Sequence, residues 1–200
     1  MSKIPCELIS WKRFYSLTRK LARKIREARY RPDLIVAVER GGYMPARILS
    51  DLFQITDMTG FKIEHYRGSN ISPKALIQYP FSGSIEKRTV LLVDDVSDTG
   101  DTFDTAVAHL LEHGRPQDLR TAVLHHKTVS KFVPDFYAQK IIKWRWITYP
   151  WAVIEDLSVF FKQMDPPPAT EEEFGSRLVE GNGMRVPKEM LTEVFLQETK

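Results

Sequence analysis

Val90-Leu91-Leu92-Val93-Asp94-Asp95-Val96-Ser97-Asp98-Thr99-Gly100-Asp101-Thr102 is the stretch that decides the fold. Its four leading apolar residues form an unbroken run, which fits a strand covered on both faces of a parallel sheet. Gly100 to about His113 reads as a helix, with Gly114 placed as a C′ glycine and Pro116 just beyond it. A strand that runs straight into a helix puts their joining loop at the carboxyl edge of the sheet, where open α/β sheets bind ligands.

The residue types in that loop point to a particular ligand. Ser97 to Thr102 offers a tight run of backbone N–H groups and three hydroxyls at a helix N-terminus. Unpaired donors and the helix dipole there favour a phosphate monoester. Gly100 lets the backbone come close to it. Asp94 and Asp95 would repel a phosphate they faced, so they are expected to face sugar hydroxyls or a hard cation such as Mg2+. A phosphate beside a diol is a ribose 5-phosphate. A Walker A loop is excluded, because no Gly-Lys-Ser/Thr follows the strand.

Outward from this centre the chain alternates. Leu34 to Val38 is a second buried-strand run, broken by Gly41 and Gly42, and Tyr43 to Phe53 reads helical. Phe61 to Tyr66 and Ala75 to Phe81 are strand candidates around a polar segment, Arg67 to Lys74, and Leu119 to Leu124 is one more buried strand. Trp11 to about Arg29 is an amphipathic helix, with Trp11, Phe14, Tyr15, Thr18, Leu21, Ala22 and Ile25 on one stripe and most of its Lys and Arg opposite. Strands alternating with helices predict an α/β fold, a doubly wound parallel sheet with an N-terminal helix. Pro166-Pro167-Pro168 cannot continue a helix, and two helical candidates follow it, about Thr170–Val179 and Pro187–Gln197. The expected organisation is one domain over residues 1–164 and a Pro-linked, acidic helical extension over 165–200.

Composition narrows the class further. At 42% hydrophobic and 28% charged residues, the chain is too apolar for disorder. No run approaches the roughly 18 apolar residues of a membrane span, and the N-terminus lacks an apolar signal region. A single cysteine, Cys6, makes neither an internal disulfide nor a zinc cluster, which suits a reducing cytoplasm. The net charge of +3 is uneven: residues 165–200 carry 4 Lys/Arg against 8 Asp/Glu, leaving 25 against 18 on the first 164. A basic body suits an anionic small ligand, and nucleic acid is not expected without an aromatic platform or a second basic cluster. His125 and His126 are adjacent on a strand and so point to opposite faces, which argues against a metal pair.

The thirteen residues quoted above resemble the phosphoribosyl-pyrophosphate signature of the type I phosphoribosyltransferases. That signature is four apolar residues, two acids, and a loop ending in Thr-Gly-x-Thr. The resemblance extends over about residues 10–155 and implies that family's fold. It implies that Asp94, Asp95, Ser97, Asp98, Thr99, Gly100, Asp101 and Thr102 bind phosphoribosyl pyrophosphate, with Asp94 on the ribose hydroxyls and Asp95 linked to Mg2+. Asp101 fills the variable position and is expected to point to solvent. Asp98 matches the acid that lies near purine N7 and acts as general acid/base, although an N-cap role would also suit it. Val38-Glu39-Arg40-Gly41-Gly42 resembles the pyrophosphate loop, with Arg40 and Gly41 as its binding residues and the Arg40–Gly41 bond as the candidate for a cis peptide. Tyr66 to Lys74 matches the position of the catalytic hood.

The run Trp144-Arg145-Trp146-Ile147-Thr148-Tyr149-Pro150-Trp151 resembles the xanthine-guanine branch and similar archaeal purine enzymes. Carried over, Lys127 donates to a 6-oxo group, Trp146 stacks on the purine, and the Ile147 carbonyl reads the 2-substituent. The activity implied is transfer of ribose 5-phosphate to N9 of guanine, xanthine or hypoxanthine with release of pyrophosphate, as in purine salvage. The resemblance further implies a homo-oligomer, dimer or tetramer. Two other readings stay open: the same fold acting on a non-purine acceptor, and a non-catalytic sensor of phosphoribosyl pyrophosphate.

Overall fold

The computed structural model describes residues 4–66 and 74–199, and the chain forms two compact units. The larger runs from Tyr15 to Lys143; the smaller joins the N-terminal segment through Phe14 to the residues from Trp144 onward. This division differs from the expected boundary between residues 164 and 165.

The larger unit is built on a six-stranded sheet. In chain order its strands are β2 (Leu34–Glu39), β3 (Met58–Tyr66), β4 (Lys74–Tyr79), β5 (Thr89–Ser97), β6 (Asp118–Lys127) and β7 (Phe136–Ile141), and their spatial order is β4-β3-β2-β5-β6-β7. All neighbours are parallel except the edge strand β4, which is antiparallel to β3. Chain order reverses between β2 and β5, which makes their junction the topological switch point of the sheet.

Both faces of the central strands are covered, as their continuous apolar sequences require. Leu34, Val36, Val38, Val90 and Leu92 form one cluster with Phe103, Ala106 and Leu110 of α3 (Asp101–Leu111). The alternate residues Ile35, Ala37, Leu91 and Val93 point the other way and are equally inaccessible. α2 (Tyr43–Phe53) packs on β2, β3 and β5 and buries Ala46 and Leu49. α1 (Trp11–Glu27) buries Leu17, Thr18, Leu21, Ala22 and Ile25, while Arg19, Lys20 and Arg23 stay exposed as the amphipathic pattern predicts; Trp11 and Tyr15, expected on the buried stripe, are exposed instead.

The smaller unit contains a two-stranded parallel pair, β1 (Cys6–Leu8) with β8 (Trp146–Thr148), and three helices, α4 (Val153–Lys162), α5 (Glu171–Asn182) and α6 (Lys188–Glu198). Leu157, Phe160, Phe161 and Met164 form one apolar cluster with Phe174, Leu178, Met184 and Val194. This is the physical reason that the boundary does not fall at the prolines: residues beyond 165 supply half of the core that covers α4. The proline run begins with a cis Asp165–Pro166 bond, and Arg177 Nη1 donates to the Pro166 carbonyl at 2.6 Å, so the linker is tied to α5.

Candidate active site

Pairing between β2 and β5 ends at Ala37↔Val93, while β5 continues to Ser97, paired there with β6. The last four residues of β5 therefore flank an opening at the switch point, with the β2–α2 turn on the other side. Two glycines let that turn fit. A Cβ on Gly42 would lie 2.6 Å from the Val38 carbonyl oxygen, and one on Gly41 would lie 2.6 Å from Asp95 Cγ. The first glycine closes the turn, through a Gly42 N–H to Val38 carbonyl bond of 2.9 Å. The second brings the backbone of the β2–α2 turn against the Asp95 carboxylate.

The cis peptide of this turn is Glu39–Arg40, one bond earlier than the expected Arg40–Gly41. Gly41 keeps a trans bond and its close approach to Asp95. Arg40 is exposed at the tip of the turn. Tyr43, at the start of α2, hydrogen-bonds Glu39 Oε1, and this carboxylate contact pushes the phenol pKa up to about 12.

Across the opening, Asp94 is buried and Asp95 half-buried. Neighbouring strand residues alternate, so the two carboxylates leave opposite faces of β5 rather than acting as one pair. Asp94 Oδ1 accepts the Asp95 N–H at 2.8 Å. Burial, reinforced by the Asp95 charge, raises the Asp94 pKa well above its ordinary value.

The loop beyond is held from beneath. Ser97 Oγ lies 2.7 Å from Ser130 Oγ and donates to the Phe132 carbonyl at 3.2 Å, and the Ser97 side chain is buried. Of the three hydroxyls expected to face a phosphate, that of Ser97 is thus engaged inside the fold; Thr99 is exposed and Thr102 half-buried. Gly100 has φ +104°, and a Cβ there would meet Phe132 N at 2.6 Å. It is also the N-cap of α3, and no side chain caps that helix. At the start of this helix the Phe103 N–H donates to the Gly100 carbonyl at 3.0 Å and the Asp101 N–H to Thr99 Oγ1 at 3.5 Å. Asp101 is half-buried and accepts the Thr99 hydroxyl at 2.9 Å.

Asp98 is not the N-cap. Its Oδ2 lies 2.5 Å from Lys127 Nζ, at the end of β6, and the lysine is buried. Both residues are legible in the sequence but their pairing is not, because nothing local links two positions 29 apart, one just past β5 and the other ending β6. In the smaller unit, β8 carries Trp146, 37% exposed, and Ile147, which is buried. The Trp146 indole N–H donates to Asp156 Oδ2 at 2.9 Å. Residues 67–73 of the expected hood lie outside the described residues.

A doubly wound sheet whose switch-point opening is flanked by strand-end carboxylates and the start of a helix defines an α/β protein of the class that binds ligands at the carboxyl edge of its sheet. Comparisons identify which one. The Phosphoribosyl transferase domain family matches residues 7–155. Xanthine-guanine phosphoribosyltransferase of Idiomarina loihiensis is 27% identical over 143 residues, 72% of this chain and 84% of the relative. The crystal structure of purine phosphoribosyltransferase from Pyrococcus horikoshii Ot3 superposes with a TM-score of 0.65 at 32% identity, covering 73% of this chain and 93% of that one. A hypothetical protein from Neisseria gonorrhoeae with bound ppGpp gives 0.67 at 25% identity, over 76% and 91%. The chain belongs to the phosphoribosyltransferase family and is by that membership a pentosyl-transferring glycosyltransferase.

Proposed function

We propose that this enzyme transfers the 5-phosphoribosyl group from phosphoribosyl pyrophosphate to N9 of a 6-oxopurine. The observation that carries the proposal is the Lys127–Asp98 pair, 2.5 Å apart at the ends of neighbouring strands. An ammonium is a pure donor and a carboxylate a pure acceptor. A purine edge with a 6-oxo acceptor next to an N7–H donor is their complement. Adenine's 6-amino group would present a second donor to Lys127, which has nothing to accept it with. The named purine enzymes among the relatives support the same choice.

In this reading the β5–α3 loop receives the 5-phosphate through Thr99, Thr102 and the first-turn N–H groups of α3. Asp94 accepts from the ribose hydroxyls. Arg40 and the N–H groups of the β2–α2 turn hold the departing pyrophosphate as the C1–O bond breaks. N9 then bonds to C1 while Asp98 takes the N7 proton. Trp146 stacks on the base, and the Ile147 carbonyl reads the 2-position.

The residues present fit Mg2+. Asp95 lies against the Gly41 backbone, and among the described residues no cluster of three or more metal-ligating side chains exists. One carboxylate with phosphate oxygens and water is how this ion is commonly held. It would neutralise charge on the pyrophosphate.

The test is a panel of bases with donor and Mg2+, read by pyrophosphate release. Guanine, xanthine or hypoxanthine should turn over and adenine should not; turnover with none of the three sinks the reading. Asp98→Ala should lower kcat by about 10²–10⁴-fold with little change in donor KM, and the reverse pattern would remove Asp98 from proton transfer.

A further inference from the structure

We infer that Asp156 is a positioning residue that fixes the plane of the Trp146 ring for base stacking. The inference rests on the reading of Trp146 as the stacking residue. Asp156 belongs to none of the sequence motifs; it is a buried acid in the first turn of α4. Its Oδ2 accepts the Trp146 indole N–H at 2.9 Å. The Trp146 backbone is held separately: its N–H donates to the Pro5 carbonyl at 2.8 Å, and Cys6 is its partner in the β1–β8 pair.

A tryptophan side chain has two torsions. With the backbone set by β1 and the N–H set by Asp156, the ring plane is determined while one part of the ring stays accessible, as the 37% exposure records. A platform fixed before the ligand arrives does not lose its own rotational freedom on binding. The chemistry also explains the choice of acceptor, since a hydrogen bond to an ionised group is stronger than a neutral one. The contrasting role for Asp156 is to stabilise the N-terminal turn of α4 by its charge alone.

Asp156→Asn separates the two. The amide oxygen still accepts the indole N–H, while the charge is gone. Steady-state kinetics of wild type, Asp156→Ala, Asp156→Asn, Trp146→Phe and the Asp156→Ala/Trp146→Phe double variant provide the test. Asp156→Ala should raise the purine KM about 10-fold with donor KM within about twofold, because lost pre-organisation acts on the base alone. Asp156→Asn should return most of that loss. In the Trp146→Phe background, which has no N–H to hold, Asp156→Ala should add nothing to the purine KM.

Additive effects in the double variant, or no recovery in Asp156→Asn, would overturn the positioning role. If Asp156→Ala does not fold, the Trp146 indole N–H resonance in Asp156→Asn gives the same decision: unchanged hydrogen bonding with an unchanged purine KM supports positioning, and a lost base affinity refutes it. Trp146→Ala distinguishes the underlying reading. An unchanged purine KM in that variant removes Trp146 from base stacking altogether, whereas a raised one beside an inert Asp156→Ala condemns only the role of Asp156.

Discussion

Asp94 is the residue where stability and function conflict most openly. Burial and the Asp95 charge both disfavour its ionised form, so its pKa in the fold lies above the ordinary 3.8. An acid raised in this way stabilises the fold fully below its unfolded value, and that contribution is lost as pH rises through the folded one. Asp94→Asn should therefore stabilise the ligand-free protein at neutral pH, by about 0.5–2 kcal/mol, and should weaken donor binding. Melting temperatures of the two proteins should separate progressively as pH rises from 3.8. A gap that closes with rising pH would contradict the assignment. Asp94 and Asp95 were legible as strand-end acids; that they leave opposite faces follows from strand periodicity, and only the packing on Gly41 distinguishes their surroundings.

At the level of elements, the β5–α3 unit was almost wholly readable, since an unbroken apolar run, a glycine and a helical pattern follow one another without interruption. α2 matches its expected span of Tyr43 to Phe53. What escaped is equally instructive. The N-cap of α4 is Ala152, which offers no side-chain cap, so no start signal marks the helix. β1 and β8 are three residues each, too short for any periodicity, and exist only by pairing with one another. β7 alternates buried and partly exposed positions behind Pro134, which reads as loop. Gly100 provides a prediction at this scale. Alanine there would need both a left-handed backbone and the 2.6 Å space now taken by Phe132 N. Gly100→Ala should cost at least about 2 kcal/mol, lowering the melting temperature by about 4–8 °C. Donor affinity should fall with it, as calorimetry of phosphoribosyl pyrophosphate binding would record.

Taken whole, the chain exceeds its family match by the segment that follows residue 155. The acidic balance of that segment suggested a separate appendage, yet its apolar residues explain its presence better than its charges do. Glu171, Glu172 and Glu173 lie in the first turn of α5, where the helix dipole favours them, and Thr170 accepts the Glu173 N–H at 3.1 Å. Phe174, Leu178, Met184 and Val194 are packed with α4. Ending the chain at residue 164 would uncover Leu157, Phe160 and Phe161, each worth about 1.5–3 kcal/mol of burial. The shortened protein should bind hydrophobic dyes and aggregate, as light scattering would detect; a monodisperse, fully active product would show the extension to be dispensable. The smaller unit is also discontinuous, and this has a meaning in time. Leu8 pairs with Thr148, so on a ribosome adding roughly 5–20 residues per second the first strand waits about 7–28 s for its partner. Throughout that interval a protease or chaperone meets β1 as unpaired backbone.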